Sequence, residues 1–140
     1  MRTLLILLLG LFLAGPLAAE GLVADDALTV TAPTGDQAAL LLGVAAPVQI
    51  VRIADGVPGW SVSKGGRVVG EIGSTWEIAG SVGYSGRPLD VLVAVTPDAR
   101  IAGALLVRHN EPVLTLGISD ADIAAYVAGF TGFDLAAAAP

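Results

Sequence analysis

The densest chemistry in this sequence is the run His109-Asn110-Glu111-Pro112. His109 is the one histidine among 140 residues, so any imidazole chemistry runs through it. If this run ends a strand, residues i and i+2 point the same way, roughly 6–7 Å apart. That spacing can hold an imidazole and a carboxylate against one ligand. The alternative is a strand end that only reaches water, with a solvated histidine. A metal site is not supported, because one His and one nearby Glu fall short of the three or four ligands zinc needs. Cys is absent, which excludes thiolate ligation, iron–sulfur clusters, Cys nucleophiles and disulfides from these residues.

A second group is Gly83-Tyr84-Ser85-Gly86-Arg87-Pro88. Glycines flank an aromatic ring and a hydroxyl, and a cation follows. Backbone N–H groups freed in such a loop, together with Arg87, suit an anion such as a phosphate. The plainer reading is a turn leading into a strand. The run lacks the Gly-Lys-Ser/Thr of a Walker loop. Trp60 and Trp76 suit either stacking on a planar ligand or a place in the core. Nucleophilic catalysis has no Gly-x-Ser-x-Gly elbow, and a triad would have to use the single His.

The elements that must position these groups follow from periodicity. Thr34-Gly35-Asp36 starts a short helix through Val44, with Pro47 beyond its end. Residues 47–53 are β-branched and read as a strand. Residues 60–63 and 67–72 flank Gly65-Gly66, a pair suited to a two-residue hairpin turn with φ > 0 at both positions. Gly70 and Gly73 in the second of these strands imply a bulge or a close backbone approach. Residues 73–87 read as a loop or broken strand. Residues 88–111 alternate with period 2 about the turn Thr96-Pro97-Asp98-Ala99-Arg100. That alternation puts Ile101, Gly103, Leu105, Val107, His109 and Glu111 on one face. Residues 118–130 read as a helix capped by Ser119, with Asp122 reaching back to the cap. Ile123, Tyr126, Val127 and Phe130 form its apolar stripe. The class is α+β: an antiparallel sheet with one or two helices packed on it. No βαβ alternation appears, which argues against a Rossmann-type domain.

Composition agrees with a folded domain. Apolar residues make up 54% and charged residues 14%, the reverse of a disordered chain. Mean hydropathy is +0.77, but the excess concentrates in residues 4–13. Arg2, that apolar run and Gly15-Pro16-Leu17-Ala18-Ala19 form the pattern of a secretory signal cut after Ala19. A spanning helix needs about 20 apolar residues, and Gly15-Pro16 breaks this run too early. Loss of 1–19 removes only Arg2 among the charged residues, taking the net charge from −6 to −7. An acidic surface of that kind disfavours nucleic acid and anionic membranes as partners. The expected organisation is a signal peptide at 1–19, a helical or linker segment at 20–46 and a domain at 47–135.

The stretch GYSGRPLDVLVAVTPDARIAGALLVRHNEPVLTLGIS, residues 83–119, resembles the flavin-binding domain of the NosR/NirI proteins. More distantly it is similar to the FMN-binding domains of the RnfG and NqrC electron-transport subunits. The shared pattern is a Gly-Tyr-Ser-Gly-basic-Pro entry, a strand, a Pro-Asp turn, a second strand ending in His-x-Glu-Pro, and Leu-x-Gly-Ile opening a helix. It covers about 60 residues, roughly 73–133. The resemblance implies an FMN-binding-type α+β fold on the periplasmic side of the cytoplasmic membrane. It implies electron transfer to a periplasmic reductase, as in nitrous oxide reduction, and an accessory module more than a catalyst. Tyr84 or Trp76 would supply a stacking surface, His109 and Glu111 the hydrogen bonds at the ring edge, and Gly86 and Arg87 the phosphate anchor. The family attaches FMN through a Thr in a Ser/Thr-Gly-Ala-Thr motif after the helix, and Thr131-Gly132-Phe133 does not match it. Covalent attachment is therefore assigned to no residue here, and any FMN binding should be reversible. The family's membrane helices and Cys-rich ferredoxin segments have no counterpart in these residues. The expectation is an N-terminal portion or a shortened relative, with membrane contact only through a C-terminal part outside it. The competing reading is a flavin-free periplasmic interaction module with the same fold.

Overall fold

The computed structural model describes residues 28–112, 114 and 116–137. The proposed signal peptide, 1–19, lies outside them. The order of elements is α1 (Gly35–Leu42), β1 (Gln49–Arg52), β2 (Trp60–Lys64), β3 (Arg67–Ser74), α2 (Thr75–Ala79), β4 (Leu89–Val95), β5 (Ile101–His109) and α3 (Asp120–Ala128). The five strands form one antiparallel meander in the order β1-β2-β3-β4-β5. The class expected from the sequence, α+β on an antiparallel sheet, is the one observed, with three helices among the described residues.

The core lies between α1 and one face of the sheet. Thr34 caps α1 through a reciprocal box: its Oγ1 accepts from the Gln37 N–H at 3.2 Å, and its own N–H donates to Gln37 Oε1 at 2.9 Å. Ala38, Leu41 and Leu42 then pack on Trp60, Val62, Ile72, Leu92 and Ala94. At Gly70 helix and sheet meet closely. A Cβ there would stand 2.4 Å from Leu42 Cδ2 and 2.6 Å from the Val95 carbonyl oxygen. The close approach expected of this glycine is thus present. Gly65 and Gly66 turn the β2–β3 hairpin at φ 58° and 78°, as that turn requires.

Residues 73–87 differ from the loop expected of them. β3 continues to Ser74 and α2 follows at once. Buried Ser74 is the N-cap of α2, accepting from the Glu77 N–H at 3.1 Å. The glycine density hid a one-and-a-half-turn helix whose start depends on a tertiary contact. Ser74 Oγ donates to Asp90 Oδ1 at 2.7 Å, and the Trp76 N–H donates to the same oxygen at 3.2 Å. Asp90 is buried and on β4, so the helix is seeded from another strand. Arg52 on β1 closes the far side with a forked ion pair to Glu77 and lies 4.8 Å over the Trp60 ring.

The β4–β5 pairing corrects the face assigned to His109. Leu92 pairs with Leu105, but the register shifts between Asp90 and Val91, so Leu89 pairs with His109. Leu89 and Leu92 are three residues apart on one strand and face opposite sides. His109 therefore lies on the face opposite Leu105. The bulge skips Val107 and inverts the alternation after it. A second shift, between Ala94 and Val95, does the same at Ile101.

Helix α3 begins as expected. Ser119 Oγ accepts from the Asp122 N–H at 3.2 Å, and Asp122 Oδ2 accepts from the Ser119 N–H at 3.0 Å. Its burial is narrower than the expected stripe. Val127 is buried and Ile123 half-buried, while Tyr126 and Phe130 are exposed and meet edge-to-face with centroids 5.8 Å apart. The cause is topological: β5 is the sheet edge, so α3 has one strand to cover and only part of its stripe finds apolar partners. The chain then returns to the hairpin tip. The Ile101 N–H donates to the Phe133 carbonyl at 2.9 Å, the Leu135 N–H to the Ala99 carbonyl at 2.9 Å, and Arg100 pairs with Asp134.

Candidate functional site

The two polar motifs meet at Glu111. This carboxylate is 4% exposed. Its two oxygens accept from the Ser85 N–H at 3.2 and 3.1 Å, and Oε1 also accepts from Ser85 Oγ at 2.7 Å. The turn above it is closed by the Gly83 N–H donating to the Arg87 carbonyl at 2.9 Å and the Gly86 N–H to the Gly83 carbonyl at 3.0 Å. Val82 and Pro88 bridge its base. Gly83 sits on the carboxylate itself: a Cβ there would stand 2.3 Å from Oε1. A buried charge is costly unless its hydrogen bonds are met. Here Ser85 meets them, and in return the carboxylate fixes the shape of residues 83–87.

This arrangement sorts the expected cofactor residues. Glu111 is committed to Ser85 and holds the loop. Gly86 has φ 76° and serves the turn. Tyr84 at the tip is 96% exposed, and Arg87 is exposed beside it. His109 belongs elsewhere. It lines a groove of about 460 Å³ between β5 and α3, walled by Ala104, Leu106, Ile123, Ala124 and Val127, with Arg108 and Asp120 also on its lining. Its Nδ1 is buried and has no hydrogen-bond partner. The structure thus brings Glu111 to the 83–87 loop and separates His109 from both. This groove, of ligand size with apolar walls and one imidazole, suits a flavin ring. Gly86 and Arg87, expected to anchor a phosphate, do not line that groove.

Trp60 is a core residue. Trp76 is half-buried on α2 and is held through its backbone by Asp90. The sequence reading missed the polar group Ser74, Thr75, Ser81 and Asp90. Thr75 Oγ1 accepts from the Val91 N–H at 3.0 Å and contacts Ser81 Oγ at 2.8 Å, and Ser81 Oγ donates to the Leu89 carbonyl at 2.7 Å. The one signal for it was Asp90, a carboxylate at a core position of an otherwise apolar strand.

No protein-family model matches the chain, and no solved structure matches it significantly. Curated proteins do. The chain is 57% identical to Protein NirI of Paracoccus denitrificans over 134 residues, 96% of the chain and 18% of NirI. It is 32% identical to Regulatory protein NosR of Pseudomonas aeruginosa over 71 residues, 51% of the chain and 10% of that protein. A NosR from Stutzerimonas stutzeri is 25% identical over 72 residues. Over almost its whole length the chain is similar to NirI, and over half of it to NosR. It spans less than a fifth of the length of these relatives. The likeness to NirI leaves out only 4% of the chain, so every strand and helix described above lies within the NirI-like region.

Among the described residues no group of His, Asp and Glu is placed to hold a metal. No helix among them is long and apolar enough to cross a membrane.

Proposed function

We propose that this chain is an exported, periplasmic FMN-binding-type domain of a NirI/NosR accessory protein of denitrification, supporting electron transfer to a periplasmic reductase such as that for nitrous oxide. The observation that carries the reading is the unity of residues 83–119, whose motifs resemble a flavin domain. Glu111, near the end of that stretch, binds Ser85, near its start. The entry loop, β4, β5 and the start of α3 thus form one unit rather than scattered matches. The likeness to NirI along 96% of the chain supports the denitrification role. Bound FMN would supply one- and two-electron transfer. The chain's own part is to position the ring and exclude water from it. Export through residues 1–19 belongs to the same reading.

Titrating the purified chain with FMN tests it. The expected result is reversible uptake with quenched flavin fluorescence and a yellow colour lost from the protein in acid. Absence of any flavin binding refutes the flavin part. Colour that stays with the acid-denatured polypeptide refutes reversibility. The second reading, a flavin-free interaction module, is favoured by one feature. Tyr126, Phe130 and Phe133 form a contiguous exposed aromatic group, with Phe130 and Phe133 centroids 6.5 Å apart. Such clusters mark partner surfaces.

A further inference from the structure

We infer that the ring-binding site is the β5–α3 groove and that His109 presents its Nε2–H there to a carbonyl or ring-nitrogen acceptor of a planar heteroaromatic ligand. The inference rests on the flavin reading for its ligand class and departs from the sequence expectation for its location. Three observations carry it.

The first is the imidazole. His109 is half-exposed, yet its Nδ1 is shut off from water and has no partner. A buried N–H without an acceptor is costly, whereas a bare lone pair is the milder deficit. Neutral imidazole has one N–H and one lone pair. The lone pair therefore belongs on Nδ1, on the dry side of the ring. The proton belongs on Nε2, the nitrogen left for the open side. The groove is thus offered a donor, and its ligand must bring an acceptor.

The second is the wall chemistry. Ala104 and Leu106 on β5 face Ile123, Ala124 and Val127 on α3. Small and branched apolar side chains on both sides suit a flat ring, and about 460 Å³ lies within the range of small-molecule sites. The third is the charge. The groove has one cation, Arg108, and one anion, Asp120. They leave no net attraction for a phosphate, so affinity should reside in the ring. The 83–87 loop offers none of these features: its carboxylate is already bonded and its tyrosine stands in solvent.

The test uses the whole chain, with riboflavin, FMN and lumichrome as probes. Because His109 is the only histidine, its ¹⁵N signals are unambiguous. The free protein should show the Nε2–H tautomer, and each ring should shift Nε2. FMN and riboflavin should bind within about threefold of each other, since the phosphate adds little. Ala124→Trp, at an exposed helix position, should fill the groove and abolish binding. His109→Phe should weaken it about tenfold, the loss of one hydrogen bond. Tyr84→Ala should leave binding unchanged. Flavin binding that survives Ala124→Trp or is lost with Tyr84→Ala overturns the groove while keeping the flavin reading. Lumichrome shifting His109 while neither flavin binds overturns the flavin reading and keeps the groove. An Nδ1–H tautomer, or no ring that moves the His109 signals, overturns the inference itself.

Discussion

Gly83→Ala tests whether Glu111 shapes the 83–87 loop. Gly83 has no positive φ, so its backbone accepts a side chain without strain. The obstacle is the carboxylate: the new Cβ would stand 2.3, 2.4 and 2.5 Å from Glu111 Oε1, Cδ and Cγ. Something must move, and Glu111 cannot move without releasing Ser85. The cost combines overpacking, about 1–3 kcal/mol, with weakened hydrogen bonds to a charged group, about 1.5–3 kcal/mol. A loss of about 3 kcal/mol is expected. Glu111→Ala alone should cost about 2 kcal/mol, because Ser85 is exposed and water can take over its donors. Adding Gly83→Ala to Glu111→Ala should then cost less than about 0.5 kcal/mol, since the clash has gone. Urea unfolding of the four proteins gives the coupling, and unchanged slopes confirm that the same transition is compared. The Ser85 amide should exchange faster in both single variants. Additive single costs would refute the arrangement, because two independent perturbations cannot share one carboxylate.

Ser119→Ala should cost about 0.5–2 kcal/mol through the lost cap of α3, read as a lower unfolding midpoint. The hydroxyl and N–H of Ser119 hold Asp122 below the ordinary aspartate range. Its contribution is therefore present above the unfolded value and fades as pH falls through the lower folded value. Amide exchange in the first turn of α3 should rise in that acidic window, and not in Asp122→Asn. Asp90→Ala removes the acceptor for Ser74 Oγ and the Trp76 N–H, both in buried or half-buried surroundings. The expected cost is about 3 kcal/mol. Loss of Trp76 fluorescence anisotropy should exceed that in Ser119→Ala, and equal values would disprove the seeding of α2 by Asp90.

What could be read from the sequence was local. Thr34 and Ser119 each carry their capping partner three residues ahead, and both caps formed as the spacing required. Gly65-Gly66 needed only the backbone geometry of a two-residue turn. The alternation of β4 was legible because Leu92 and Ala94 face one core without interruption. The short helix α2 was not legible, since its start is set by Asp90, sixteen residues away. The outward turn of Tyr126 and Phe130 was hidden too. A periodic stripe says which residues share a face but not how wide a surface awaits them.

The candidate site was half legible for a related reason. Residue types singled out His109 and Glu111, because a histidine and a carboxylate two apart stand out in so apolar a chain. Their common side rested on unbroken alternation, and one skipped residue at Val107 is enough to reverse it. That reversal separates two kinds of work that the sequence had merged. Glu111 turns inward to Ser85 and becomes the support of a loop. His109 turns to α3 and keeps an imidazole nitrogen in reserve. A bulge at the end of an edge strand re-aims side chains at little cost to the ladder, since among the described residues no strand pairs with the outer side of β5. On this account the bulge is the feature that makes a groove out of a strand end. Deleting Val107 should remove the bulge yet leave Arg108 opposite Asp90 and His109 opposite Leu89 on the α3 side, so the Nε2 response to riboflavin should persist, and its loss would refute this register.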